Sequence, residues 1–147
     1  MSDIRIRIRE RFGLPDPLHV TKVGNLESIL SDMFLFSKNK MDQLKRDYED
    51  ISLTAIQDLR SRKTIQCTGR ELHDYVPLYW GKKTPMISLR RELNENMIFL
   101  MFSSELLFFN KCVMTDGNAA DRATTFVEFS NIDDLSFLDA KSINTLK

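Results

Sequence analysis

No uninterrupted apolar run in this chain is longer than Met97–Phe102, and that ceiling limits the elements the chain can build. A membrane span needs about 18 or more consecutive apolar residues, so none is expected. Buried strands of four to six residues, and helices that show an apolar stripe rather than an all-apolar surface, are what such runs support. The 147 residues match the usual size of a single domain, and 42% of them are hydrophobic against 29% charged, with five Gly and four Pro. That balance excludes disordered, collagen-like and low-complexity classes.

Lys and Arg together number 21, as do Asp and Glu, so no overall field draws the protein to nucleic acid or a membrane surface. The charges are mildly polarised along the chain. Residues 1–104 carry 17 basic and 14 acidic side chains, and residues 105–147 carry 4 and 7. Cys67 and Cys112 are too few for a disulfide framework and lack C-x-x-C spacing, which fits a reducing compartment. Met1–Phe12 has no apolar signal core, so the cytoplasm is the expected location.

Ile4, Ile6 and Ile8 alternate with Arg5, Arg7 and Arg9, which predicts an N-terminal arm, residues 1–17, holding a strand with one basic face, either an edge strand whose arginines discourage aggregation, the favoured reading, or a phosphate-contacting arm. Leu18–Thr21 reads as a short strand, and Gly24-Asn25 as a turn and helix cap. Leu26, Ile29, Leu30 and Met33 then fall at helical spacing and are expected to face the core. Ser37–Asp50 is polar and reads as a surface segment with one helical turn. Ile51–Leu59 predicts a short helix turning Ile56 and Leu59 inward, with Arg60, Arg62 and Lys63 at its C-terminal end, where the dipole favours cations. Short strands are expected at Thr84–Leu89, Asn96–Phe102 and Cys112–Thr115, with a helical turn or two at Ser103–Asn110. Strands and helices this short, interleaved this way, point to an α+β domain.

Motifs for familiar chemistry are missing. His19, His73, Cys67 and Cys112 lack zinc-ligand spacing, so no metal is expected. The sequence has no G-x-G-x-x-G, no phosphate loop and no G-x-S-x-G elbow. Three weaker constellations stand out. His19 and Thr21 share one face of a strand, where an imidazole and a hydroxyl can hold one polar ligand. Arg60 and Arg62 offer guanidinium forks suited to a pyrophosphate. His73–Trp80 gathers an imidazole, a carboxylate and three aromatics, with His73 and Tyr75 the candidates to line a cleft.

These pieces, in this order, resemble the DarT family of DNA ADP-ribosyltransferase toxins. The resemblance is carried by LHVTKVGNLESIL (Leu18–Leu30), AIQDLRSR (Ala55–Arg62), LHDYVPLYW (Leu72–Trp80), TPM (Thr84–Met86) and VMTDGNA (Val113–Ala119). It implies an ADP-ribosyltransferase-like split, bent sheet with short helices over residues 18–147, and NAD as ADP-ribose donor. It implies transfer to a base of single-stranded DNA, typically thymidine, within a toxin–antitoxin system. On the resemblance, His19, Val20 and Thr21 contact the NAD ribose and nicotinamide, Ser28 and Phe36 lie beside the cofactor, and Arg60 is the catalytic arginine. Single-stranded DNA and a cognate antitoxin are the partners it implies.

The chemistry agrees with those residue types. Nicotinamide departure leaves an oxocarbenium-like ribosyl centre that a carboxylate stabilises, while cations hold the pyrophosphate. The attacking nitrogen must also lose its proton, and arginine is a poor base for that. In the family the catalytic glutamate lies on a strand that follows the stretch matching LSFLDAKSINTL, and on the resemblance that glutamate and the C-terminal strands are expected to be missing from this sequence, whether as a fragment, an altered C-terminus or a non-catalytic descendant. Glu128 lies too early to replace it. Two functions therefore stay open from the sequence: an active transferase, or an inactive or truncated relative that binds NAD, single-stranded DNA or an antitoxin. The cations at Arg60, Arg62, Lys63, Arg70, Lys82, Lys83, Arg90 and Arg91, interleaved with aromatics, suit either.

Overall fold

The computed structural model describes residues 3–52, 54–82 and 95–145; the strand expected at Thr84–Leu89 and the cations Lys83, Arg90 and Arg91 lie outside them. In chain order the elements are α1 (Asp3–Phe12), β1 (Leu18–Lys22), α2 (Leu26–Asp32), α3 (Lys38–Gln43), α4 (Thr54–Ser61), β2 (Thr64–Ile65), β3 (Arg70–Glu71), β4 (Met97–Met101), α5 (Leu106–Phe109), β5 (Val113–Thr115), β6 (Phe126–Glu128) and α6 (Ala140–Thr145). Single 3-10 turns occupy Val23–Asn25 and Leu72–Asp74, and a longer one spans Ile132–Phe137.

Among the described residues the sheet is split into three antiparallel pairs, β1–β4, β2–β3 and β5–β6. In the longest, Leu18 faces Met101, Val20 faces Phe99 and Lys22 faces Met97. The strands expected over 18–21, 96–102 and 112–115 are present, as are helices within 51–61 and 103–110.

The N-terminal segment departs from expectation, because it is a helix and not an edge strand. Ile4, Ile8 and Phe12 are four residues apart, so the sequence that alternates also presents a helical stripe. Ile8 is wholly buried, whereas Ile6 is exposed. Asp3 at the start and Arg9 and Arg11 at the end suit the dipole. Gly13, at φ +66°, closes the helix with its N–H donating to the Arg9 carbonyl at 3.0 Å.

The main core joins α1 to the C-terminal half. Ile8 and Leu14 meet Leu107, Met114, Phe129, Leu135 and Leu138, with Trp80 packed against the cluster. Asp16 fastens this unit through an ion pair with Arg5 and a 3.1 Å hydrogen bond from the Ser104 N–H. Burial raises the Asp16 pKa, but the Arg5 and Ser104 hydrogen bonds outweigh it and hold the carboxyl below the usual range.

Two core expectations fail. Leu30 and Met33 on α2 are exposed, as is Leu59 on α4. The helix α2 has only two turns and stops at Met33 in the left-handed conformation, so half of its apolar stripe faces open space.

Candidate functional site

A cleft opens between β1, α2, α3, α4 and the Leu72–Asp74 turn, away from the main core. His19, Val20, Thr21, Ser28, Phe36, Arg60, His73 and Tyr75 all line it. Residues separated by more than fifty positions meet because the backbone pairs Leu18 with Tyr79 in both directions, each bond 2.7 Å long. That bridge lays the His73–Trp80 block beside β1. His19 completes the junction, its Nδ1 lying 2.9 Å from the Pro77 carbonyl.

The His19 contact sets its chemistry. Burial lowers its pKa and the Pro77 carbonyl only partly restores it, so the imidazole is neutral at pH 7. With Nδ1–H donating to Pro77, Nε2 is left as an acceptor suited to a ligand hydroxyl. Thr21 is buried beside it. Its Oγ1 accepts a 3.0 Å hydrogen bond from the Asn25 amide.

Asn25 does not cap α2 as its position suggests. Its amide donates to the Glu49 carbonyl at 2.9 Å and accepts from the Glu49 N–H at 2.9 Å. One buried side chain thereby anchors the segment that frames the cleft to β1. Lys22 pairs with Glu49 at 3.2 Å and Arg46 pairs with Asp32, closing the same frame from two more points. Across the cleft, Asn39 of α3 donates to Glu71 at 3.0 Å and to Asp74 at 2.8 Å, holding α3 against the Leu72–Asp74 turn.

The cleft's lining is chemically uneven. Lys38 and Arg60 are its cations, and Phe34 and Phe36 stack with ring centres 6.1 Å apart. Lys38 donates to the Tyr48 hydroxyl at 3.2 Å. Desolvation lowers the Lys38 pKa, but Tyr48 and nearby carboxylates more than reverse it, so the amine stays charged. Burial raises the Tyr79 hydroxyl pKa, against a smaller opposing influence from Arg60, which keeps that group a donor. His73 is lowered by burial and then by the charges of Arg60 and Lys38, so it too is neutral. Its Nε2 and the Gln57 Oε1 are buried without a hydrogen-bond partner. Two unsatisfied polar atoms in the lining of one cleft are what a polar ligand would complete.

Other sequence candidates sit elsewhere. Arg62 is exposed and does not line the cleft. Lys63 is committed to the carbonyl of Ala119 at 2.8 Å and lies over the Phe126 ring. Glu128 lines a second pocket instead. No group of three or more metal-ligating side chains occurs among the described residues. Sequence reasoning missed Asn25, Lys38 and Gln57, whose importance depends on contacts between distant segments. The Gly24-Asn25 signal was visible but pointed to a helix cap.

Comparison with known proteins places this geometry. Residues 18–146 match the family model described as "ssDNA thymidine ADP-ribosyltransferase, DarT". A curated "DNA ADP-ribosyl transferase" of Thermus sp. (strain 2.9) is 37% identical over 82 residues, which are 54% of this chain and 38% of that protein. The solved structure of Thermus sp. 2.9 DarT in complex with ADP-ribosylated ssDNA superposes with a TM-score of 0.74 at 26% identity, covering 87% of this chain and 64% of that one. Its complex with carba-NAD+ gives 0.67 at 25% identity, covering 88% and 65%. Thermosipho africanus DarTG in complex with ADP-ribose, at 19% identity and TM-score 0.69, covers 82% and 34% and shares the fold. The chain thus spans less than two thirds of the length of these relatives.

Proposed function

The chain belongs to the DarT family, and from that premise we propose that its cleft binds NAD and directs ADP-ribose transfer to a base of single-stranded DNA. The observation that carries this reading is the convergence of His19, Thr21, Ser28, Phe36 and Arg60 on one cleft, from four separate stretches of sequence. Its lining fits a dinucleotide. Lys38 and Arg60 suit the pyrophosphate, the Phe34–Phe36 pair offers a stacking face, and the unsatisfied Gln57 and His73 atoms await polar partners.

In this reading His19 Nε2 accepts from a ribose hydroxyl, and Thr21, oriented by Asn25, contributes a second polar contact. Arg60 holds the donor by charge, so that the bond between ribose C1′ and nicotinamide breaks in a fixed orientation. The incoming base nitrogen then forms the new bond to C1′ and gives up its proton to solvent, while nicotinamide departs as the neutral base. Thymidine specificity belongs to the same proposal, supported by the family's description; a toxin role, an antitoxin partner and action in the cytoplasm belong to it on the sequence resemblance alone.

The second reading, an NAD or single-stranded DNA binding module, is favoured by one specific observation. The carboxylates lining the cleft among the described residues are all engaged: Asp32 by Arg46, Glu49 by Lys22, and Asp50 by the Ser52 N–H at 2.8 Å and Gln57 at 3.0 Å. A group already neutralised in this way is poorly placed to stabilise a ribosyl cation.

Mass analysis of thymidine-containing oligonucleotides after incubation with the chain and NAD separates the two. Added ADP-ribose that is lost in Arg60→Ala supports the transferase. NAD or oligonucleotide binding without added mass supports the binding module, and absence of both by folded protein overturns both readings.

A further inference from the structure

A second pocket of about 200 Å³, against about 170 Å³ for the cleft, shares Tyr75 with it as a wall. Cys67, Thr68, Arg70, Lys111, Val113 and Glu128 line the rest. These residues come from the β2–β3 turn, β3, the entry to β5, and β6. Folding therefore gathers two cations at this spot, with Glu128 in the same wall and Asp74 beside Arg70.

The pocket is internally braced. The Tyr75 hydroxyl donates to Thr68 Oγ1 at 3.0 Å, and the Arg70 N–H reaches the same oxygen at 3.4 Å. The Arg70 guanidinium lies 5.5 Å from the Tyr75 ring centre, with its Nε 3.8 Å from Asp74. Stacking on an aromatic ring fixes the plane of a guanidinium while leaving its N–H groups free for oxygen ligands. Lys111 adds an exposed point charge. An oriented guanidinium and an ammonium in one concave site match a phosphodiester.

We propose that this pocket, built on Arg70 and Lys111, holds a backbone phosphate of the single strand whose neighbouring nucleotide enters the cleft past Tyr75. The inference deepens the proposed function and rests on it. Glu128 opposes the bound charge and so weakens the contact.

The test is fluorescence anisotropy of a labelled thymidine-containing oligonucleotide over a range of salt concentrations, with NAD binding followed in parallel by calorimetry. Arg70→Gln and Lys111→Gln should each reduce the slope of log affinity against log salt by about 0.7, and the pair by about 1.4, with NAD affinity unchanged. Glu128→Gln should tighten oligonucleotide binding. An unaltered slope in the double variant, with wild-type binding intact, overturns the pocket assignment and leaves the proposed function standing. A wild-type chain that binds NAD but no oligonucleotide overturns the DNA reading and the pocket together. Cys67 supplies a second readout, since it is exposed while burial raises the Cys112 pKa and slows that thiol. Oligonucleotide should protect Cys67 from a maleimide. Equal protection by inorganic phosphate alone would assign the site to free phosphate and overturn the strand.

Discussion

The two ends of this molecule are held by different forces. Around Ile8, Leu14, Leu107 and Leu135 the chain is closed by apolar burial, each fully buried aliphatic side chain contributing on the order of 1.5–3 kcal/mol. Around the cleft the same chain exposes Leu30, Met33 and Phe34, leaves two buried polar atoms unsatisfied, and relies on Asn25, Asn39 and ion pairs for its shape. The first region resists change and the second is built to be completed by a ligand. Directional bonds can hold a cleft open, where apolar contacts would collapse it.

The division can be broken most severely from the apolar side. Leu135→Ala should cost about 2–5 kcal/mol and lower the melting temperature of the whole chain, read by calorimetry. Equal loss from Leu30→Ala would erase the distinction between the regions. A smaller and more local effect is expected from Asn25→Ala, about 1–3 kcal/mol, because the Glu49 backbone and Thr21 lose their partner. Its diagnostic is a loss of NAD affinity larger than that of an equally destabilised core variant.

Acid should act on the cleft before the core. His19 and His73 both have pKa values pushed below the ordinary 6.5, so below that pH the unfolded chain takes up protons that the folded chain refuses. Stability should therefore fall as pH drops from 6.5, and a His19→Gln/His73→Gln variant should flatten the curve. Asp16 acts later. Its lowered pKa adds stability that is present above the ordinary carboxyl value of 3.8 and is lost as pH falls through the folded value. The smallest change is expected from Arg11→Glu, which breaks the 2.6 Å pair with Asp133. Both side chains are exposed, and the effect should stay below about 1 kcal/mol and fade with salt.

Strands β1, β4 and β5 were legible because their apolar runs are short, bounded and β-prone. The cleft residues on β1 were legible because His19 and Thr21 share a face. Ile4–Arg9 misled because six alternating residues satisfy a strand pattern while Ile4, Ile8 and Phe12 satisfy a helical one, and only packing decides between them. The α2 stripe misled for a related reason. Periodicity shows that a face is apolar but not what covers it. Asn25, Asn39 and Gln57 act through partners 24, 35 and 7 positions away, so nothing in their local sequence marks these contacts, and the one local signal, Gly24-Asn25, points to a helix cap instead.

Tyr79 hydrogen-bonds β1 beside the cleft, and its neighbour Trp80, the sole tryptophan, packs on the apolar cluster. The chain thus carries its one tryptophan, excitable apart from the three tyrosines, at the seam between its two regions. Quenching of that emission by added NAD, at temperatures where the apolar end is intact, would let a single optical channel follow occupancy and melting as separate events.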